Sequence, residues 1–114
     1  MSPRRPARLT EDEESWLTYV VDFATRVTRP AWLVYHTRYS KGSQAGFPDL
    51  VLLRPPRLVF AELKTDRGKL TWAQRAWMDA LAKVEGGPVL SARPAVEAYV
   101  WRPADRPDVH RILT

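Results

Sequence analysis

The sequence predicts an α/β fold in which the elements run helix, three strands, helix, strand, with a central mixed sheet flanked by helices. Three observations predict it. Residues 10–29 carry apolar side chains at helical spacing behind a capping-box start. Residues 46–64, GFPDLVLLRPPRLVFAELK, read as two apolar strands joined by a tight turn. Residues 71–84 repeat the helical pattern, and a strand-like VEAYVW follows at 96–101.

The chain has 114 residues, room for one core, so a single domain over 10–114 is expected behind a flexible basic N-terminus at 1–9. An apolar fraction of 45% argues against disorder. The formal net charge of +5 and a pI near 10.0 suit a polyanionic partner. The absence of cysteine excludes disulfides, thiol catalysis and cysteine zinc sites, and two histidines are too few for a histidine metal cluster. No apolar run reaches membrane-spanning length and the N-terminus lacks a signal core, so a cytoplasmic protein without membrane or small-molecule partners is expected.

Each element has its own justification. Thr10 as N-cap and Glu13 three residues on start the first helix, which is expected to stop before Pro30. Trp16, Val20, Phe23 and Val27 form its apolar stripe. Glu13 shares that stripe, so its carboxylate serves either the cap or a site on the sheet, with Glu14 as the alternative acid. WLVYHTR, 32–38, is strand-like. YSKGSQAG, 39–46, is a polar loop leading to Asp49, read either as a connector or as a source of phosphate contacts from Ser40, Lys41 and Ser43. After the hairpin, Thr71 and Gln74 repeat the capping box, and Gln74, Trp77, Met78 and Leu81 make one helix face towards the sheet. The helix should close at Gly86-Gly87. Beyond the last strand, the segment from Asp105 predicts a short terminal helical turn.

The hairpin carries the chemistry. If it turns symmetrically between Pro55 and Pro56, Asp49 lies opposite Glu62, with Cβ atoms about 5 Å apart. Lys64, two residues beyond Glu62, points to the same face. Both faces of the hairpin are apolar, which predicts cover on both sides and a pocket around the charges. Two carboxylates this close repel unless a proton or a cation lies between them. A hard divalent cation with oxygen ligands, Mg²⁺ or Mn²⁺, fits best.

Pro48-Asp49 followed by Glu62-x-Lys64 resembles the PD-(D/E)xK nuclease signature. GFPDLVLLR, AELKTDRGKLTWAQRAWMDAL and YVWRPAD in series resemble the VRR-NUC nucleases, in the small stand-alone form typical of phages and prophages. The resemblance implies a restriction-endonuclease-like αβββαβ core in a bacterial host cell. It places the metal carboxylates on Asp49 and Glu62, the catalytic lysine on Lys64, a helix glutamine on Gln74, and a first-helix acid on Glu13 or Glu14. Trp72 departs from the family pattern, standing where many relatives have proline.

With the backbone carbonyl of Leu63 as a third ligand, such a site would hold a divalent ion against a scissile phosphate. Lys64 would orient water or stabilise the transition state. Lys41, Arg67 and Lys69 would grip the backbone without reading bases. The resemblance implies a structure-selective DNA endonuclease, a homodimer resembling resolvases of four-way (Holliday) junctions. Apolar surface around Trp72 or the 88–95 loop is the expected source of dimerisation. The competing expectations are a nuclease on flaps, nicked or single-stranded DNA, and a DNA-binding module of the same fold without cleavage.

Overall fold

The computed structural model of the chain describes residues 11–37, 44–84 and 96–114. Helix α1 (Glu11–Asp22) runs into a π-helical turn at Phe23–Val27. Strands β1 (Leu33–His36), β2 (Leu50–Arg54) and β3 (Arg57–Leu63) follow. Next come helix α2 (Trp72–Ala82), strand β4 (Glu97–Trp101), a 3₁₀ turn at Pro103–Asp105 and helix α3 (Arg106–Leu113). The strands lie in the order β1-β2-β3-β4, antiparallel except for the parallel β3–β4 pair. The predicted α/β class, element order and mixed sheet are all present, and the terminal turn is a full helix. The N-terminal tail, Thr10, the glycine pair at 86–87, the 88–95 loop and Ser40, Lys41 and Ser43 lie outside the described residues.

Strand alternation sorts the sheet into two unlike faces. On one, Leu50, Leu52, Val59 and Ala61 are fully buried beneath Trp16, Val20 and Ala24 of the first helical segment. Each of the larger side chains contributes about 1.5–3 kcal/mol on burial. Val109 and Leu113, four apart on α3, close the same core. Helix α3 is fastened by polar bonds as well. Trp32 Nε1 donates to the Leu113 carbonyl at 2.9 Å. Arg57 donates to the Ile112 carbonyl at 2.7 Å while forming a two-pronged pair with Glu97 at 2.6 and 2.8 Å.

Two expectations about packing are corrected. Val27 is 62% exposed rather than part of the buried stripe, and Ala24 takes the inward position. The π turn is the reason, because its wider i→i+5 closure, Phe23 O to Thr28 N, shifts the helix phase. It also leaves the Ala24 carbonyl available to the Trp32 N–H at 3.0 Å, which sets where β1 begins. The second correction concerns the other sheet face. Leu33, Tyr35 and Leu53 are 69%, 63% and 38% exposed, so this face is open over β1 and the end of β2. Helix α2 has only 11 residues and packs across β4, too short to cover the remaining strands.

Candidate active site

Strands β2 and β3 pair in the register that the symmetric turn predicts, Leu50 with Ala61 through to Arg54 with Arg57. One step beyond the last pair, Asp49 sits at the open end of the hairpin beside Glu62 and Leu63. Its Oδ2 accepts the Leu63 backbone N–H at 2.8 Å, and its own carbonyl accepts the Thr37 N–H at 3.0 Å. Asp49 is therefore held on both sides, by the residue that follows β1 through its backbone and by β3 through its side chain. The preceding Pro48 is fully buried and stiffens the approach.

Glu62 is 1% exposed, and its Oε2 has no hydrogen-bond partner among the described residues. Burying an unpaired carboxylate costs more than a neighbouring leucine contributes, so the group responds by holding its proton. Its pKa is pushed up to about 8, first by burial and then by the charge and hydrogen bonding of Asp49, with Lys64 opposing. A buried acid with one unsatisfied oxygen next to a second carboxylate is a place where a cation substitutes for that proton. Among the described residues, no group of three or more His, Cys, Asp or Glu side chains is arranged to hold a metal. Asp49 and Glu62 provide two carboxylates, which suits an ion that keeps several waters and takes its remaining oxygens from a substrate phosphate, as Mg²⁺ does.

A cavity of about 140 Å³ opens here, lined by Glu13, Trp16, Leu17, His36, Asp49, Leu63, Lys64 and Gln74. Asp49 and Lys64 share its wall. Glu13 reaches it from α1, half-buried, whereas Glu14 one residue on is exposed. Gln74 reaches it from α2 while also serving the helix. Its Oε1 accepts the Thr71 N–H at 2.9 Å and its N–H donates to Thr71 Oγ1 at 3.1 Å, closing the expected capping box. Of the expected DNA contacts among the described residues, Arg67 and Lys69 are exposed, and Arg67 lines a neighbouring cleft with Thr65 and Arg106.

Three contacts bring these segments together. Gly46 has φ +86°, and a Cβ there would lie 2.3 Å from the Ala73 carbonyl carbon and 2.6 Å from the Gln74 nitrogen. The start of α2 thus rests directly on the backbone ahead of Asp49, a contact open to glycine alone. The Trp101 carbonyl accepts both the Lys64 N–H and the Trp16 indole, each at 3.0 Å, tying the lysine to β4 and α1. Arg102 donates to the carbonyls of Thr65 and Gly68 at 2.7 and 2.5 Å, bracing the loop that carries Arg67 and Lys69. Arg102 and Asp105 of the Trp-Arg-Pro-x-Asp string are therefore structural, with Asp105 accepting the Arg102 N–H at 2.9 Å. His36, within the segment that the sequence marks as strand-like, also lines the cavity. Its strand position carried no signal for that, because the pairing of β1 with β2 places it.

A family model described as the VRR-NUC domain matches residues 24–93, more than half of the chain and the whole span from Asp49 to Gln74. The chain belongs to the VRR-NUC family. This is a nuclease family of the PD-(D/E)xK type, whose members generally use divalent metals. Comparison with curated proteins and with solved structures found no match. Glu13 and β4 lie outside the matched VRR-NUC segment, so Glu13 joins the site on the geometry of the cavity alone. No helix among the described residues is long and apolar enough to cross a membrane.

Proposed function

We propose that this VRR-NUC protein is a divalent-metal-dependent, structure-selective DNA endonuclease that hydrolyses phosphodiester bonds. The observation that carries the reading is the buried Glu62 carboxyl, with one oxygen unpartnered among the described residues, beside Asp49, which itself lines the cavity together with Lys64. Asp49, Glu62 and the Leu63 carbonyl would hold Mg²⁺ or Mn²⁺, with Glu13 as a further ligand through water. When bound, the ion supplies Lewis-acid charge at the scissile phosphate and lowers the pKa of water.

The protein's own groups do the rest. Glu62 would serve as a ligand in its ionised form, and so would release the proton that burial favours in the metal-free protein. Lys64 keeps an ammonium against the phosphate oxygens, where charge builds as the bond to the leaving oxygen breaks. Gln74, anchored by its cap, presents its amide to the cavity and fixes a water or a phosphate oxygen there. Exposed Arg67 and Lys69 hold the backbone of the strand on either side without reading its sequence.

Branched DNA, with a four-way junction as the leading form, is the proposed substrate, cut by a homodimer whose two-fold axis matches that of the junction. The open sheet face of Leu33, Tyr35 and Leu53 supports self-association, because it offers apolar area that one small core does not cover. A cleavage panel tests the proposal: four-way junction, flap, nicked duplex, single strand and continuous duplex, each with Mg²⁺, Mn²⁺ or EDTA. Metal-dependent cuts near the junction branch are expected. Cutting of flaps or single strands alone would replace the junction reading, and binding without cutting in any metal would overturn the nuclease assignment.

A further inference from the structure

Trp72 is 91% exposed, an unusual position for the largest apolar side chain. It occupies the first position of α2, and nothing among the described residues accounts for it there: the helix is already capped by Thr71 and Gln74. The chain on either side of it is one-signed. Between Asp66 and Asp79 the chain carries Arg67, Lys69 and Arg75 and no acid, and all three cations are exposed. Its position is also rigid relative to the carboxylates. The capping box fixes the start of α2, the Gly46 contact seats that start against the segment leading to Asp49, and Gln74 two residues on lines the cavity.

An exposed aromatic on a fixed stretch of backbone, with cations near it in the chain, is a combination that suits stacking of an unpaired nucleobase, the ring taking the base and the cations the backbone. We infer that Trp72 is a stacking platform for an unpaired base of the DNA strand that runs past α2 from the site. The inference rests on the nuclease reading above and deepens it. It assigns selectivity to an unstacked base beside the cut, which a branch point or a single-stranded tail provides and a continuous duplex does not. Trp72 is a specificity residue here and touches no reacting atom.

The test is metal-free binding in EDTA, comparing a duplex bearing a single-stranded tail with a continuous duplex of equal length, with 2-aminopurine as the first unpaired base. Wild type, Trp72→Ala, Trp72→Leu and Trp72→Phe are titrated, with thermal melts showing that each is folded. Trp72→Ala and Trp72→Leu should weaken binding to tailed DNA by roughly 5- to 150-fold. They should leave the continuous duplex within twofold, while Trp72→Phe retains most of the preference. Quenching of 2-aminopurine should follow the aromatic ring, present for Trp and Phe and lost for Ala and Leu. Equal losses on both DNAs, a leucine variant as good as phenylalanine, or a change from dimer to monomer in light scattering on loss of the ring would each overturn the inference. Wild type that prefers the tailed DNA yet cleaves nothing in any metal would sink the nuclease reading and leave the stacking intact. Active wild type with an indifferent Trp72→Ala would sink the stacking alone.

Discussion

Replacing Glu62 with glutamine should make the metal-free protein more stable at neutral pH, the reverse of what replacing a buried polar side chain normally does. Glutamine has the same shape and no charge, so it reproduces the protonated acid that the folded protein prefers. In the unfolded chain the acid ionises at its ordinary value of 4.5, whereas in the fold burial and Asp49 hold it neutral up to about 8. Between those values the folded state binds the extra proton, so wild-type stability falls as pH rises. The stabilising contribution is complete below 4.5 and gone above about 8. The one-proton limit is about 1.4 kcal/mol per pH unit. Going from pH 5 to pH 7 then costs the wild type at most about 3 kcal/mol relative to Glu62→Gln, a difference in Tm on the order of 10 °C for a domain of this size.

The assay is urea unfolding of both proteins in EDTA at pH 5, 6, 7 and 8. The difference between them isolates Glu62 from every other titrating group. Adding Mg²⁺ should reverse the order, because the ion replaces the proton in wild type and finds only one carboxylate in the variant. Its affinity for wild type should rise by up to about tenfold per pH unit below the folded value, as one proton leaves on binding. A wild-type-minus-variant difference that stays constant from pH 5 to 8, or equal stabilisation of both proteins by Mg²⁺, would refute the reasoning.

Lys64→Ala should slow cleavage by roughly 10² to 10³ while lowering the salt slope of DNA binding by only about one, read from a Mg²⁺ time course beside a metal-free gel shift. Cleavage at the wild-type rate would remove the lysine from the mechanism. Asp49→Asn should also abolish cleavage, yet bind DNA more tightly than wild type in EDTA, because it removes a negative charge facing the phosphate; the same titrations decide it. Gly46→Ala should lose at least about 1–3 kcal/mol in urea unfolding, since the residue sits at positive φ and its Cβ collides with the start of α2. Light scattering at micromolar concentration should return twice the 13.1 kDa of one chain, and Tyr35→Glu on the open sheet face should return the single mass.

The fold was legible because its signals were local and mutually consistent. The hairpin register follows from a tight turn flanked by two apolar strands, and a one-residue slip would have moved every core side chain of β2 to the open face. The capping box of α2 follows from Thr71 and Gln74 alone. The features that were not legible depend on distant parts of the chain. The phase of the first helix is changed by a π turn, and its TRVTRP segment carries no pattern that distinguishes it from an α-helical end. The exposure of Leu33 and Tyr35 reflects where α2 lies, which no property of β1 determines. Likewise the acidic run at the start of α1 favoured Glu13, on the apolar stripe, but left Glu14 open, and the placement of the helix on the sheet brings Glu13 to the cavity.

The candidate site shows the same division between residue type and placement. Asp49, Glu62 and Lys64 are set by a hairpin register that the sequence states, but what makes them a site is the depth at which the hairpin end is buried. An exposed pair of carboxylates at this spacing would ionise together and bind a cation weakly, with solvent screening their repulsion. At 1% exposure, Glu62 cannot ionise cheaply without a cation. Its burial depends on contacts remote in sequence: Trp101 from β4 holding Lys64 and Trp16 together, and Gly46 letting α2 close over the approach to Asp49. The fold thus stores an electrostatic debt in the metal-free state that an incoming divalent ion relieves. Loosening either remote contact should therefore lower metal affinity before it alters any residue that touches the ion.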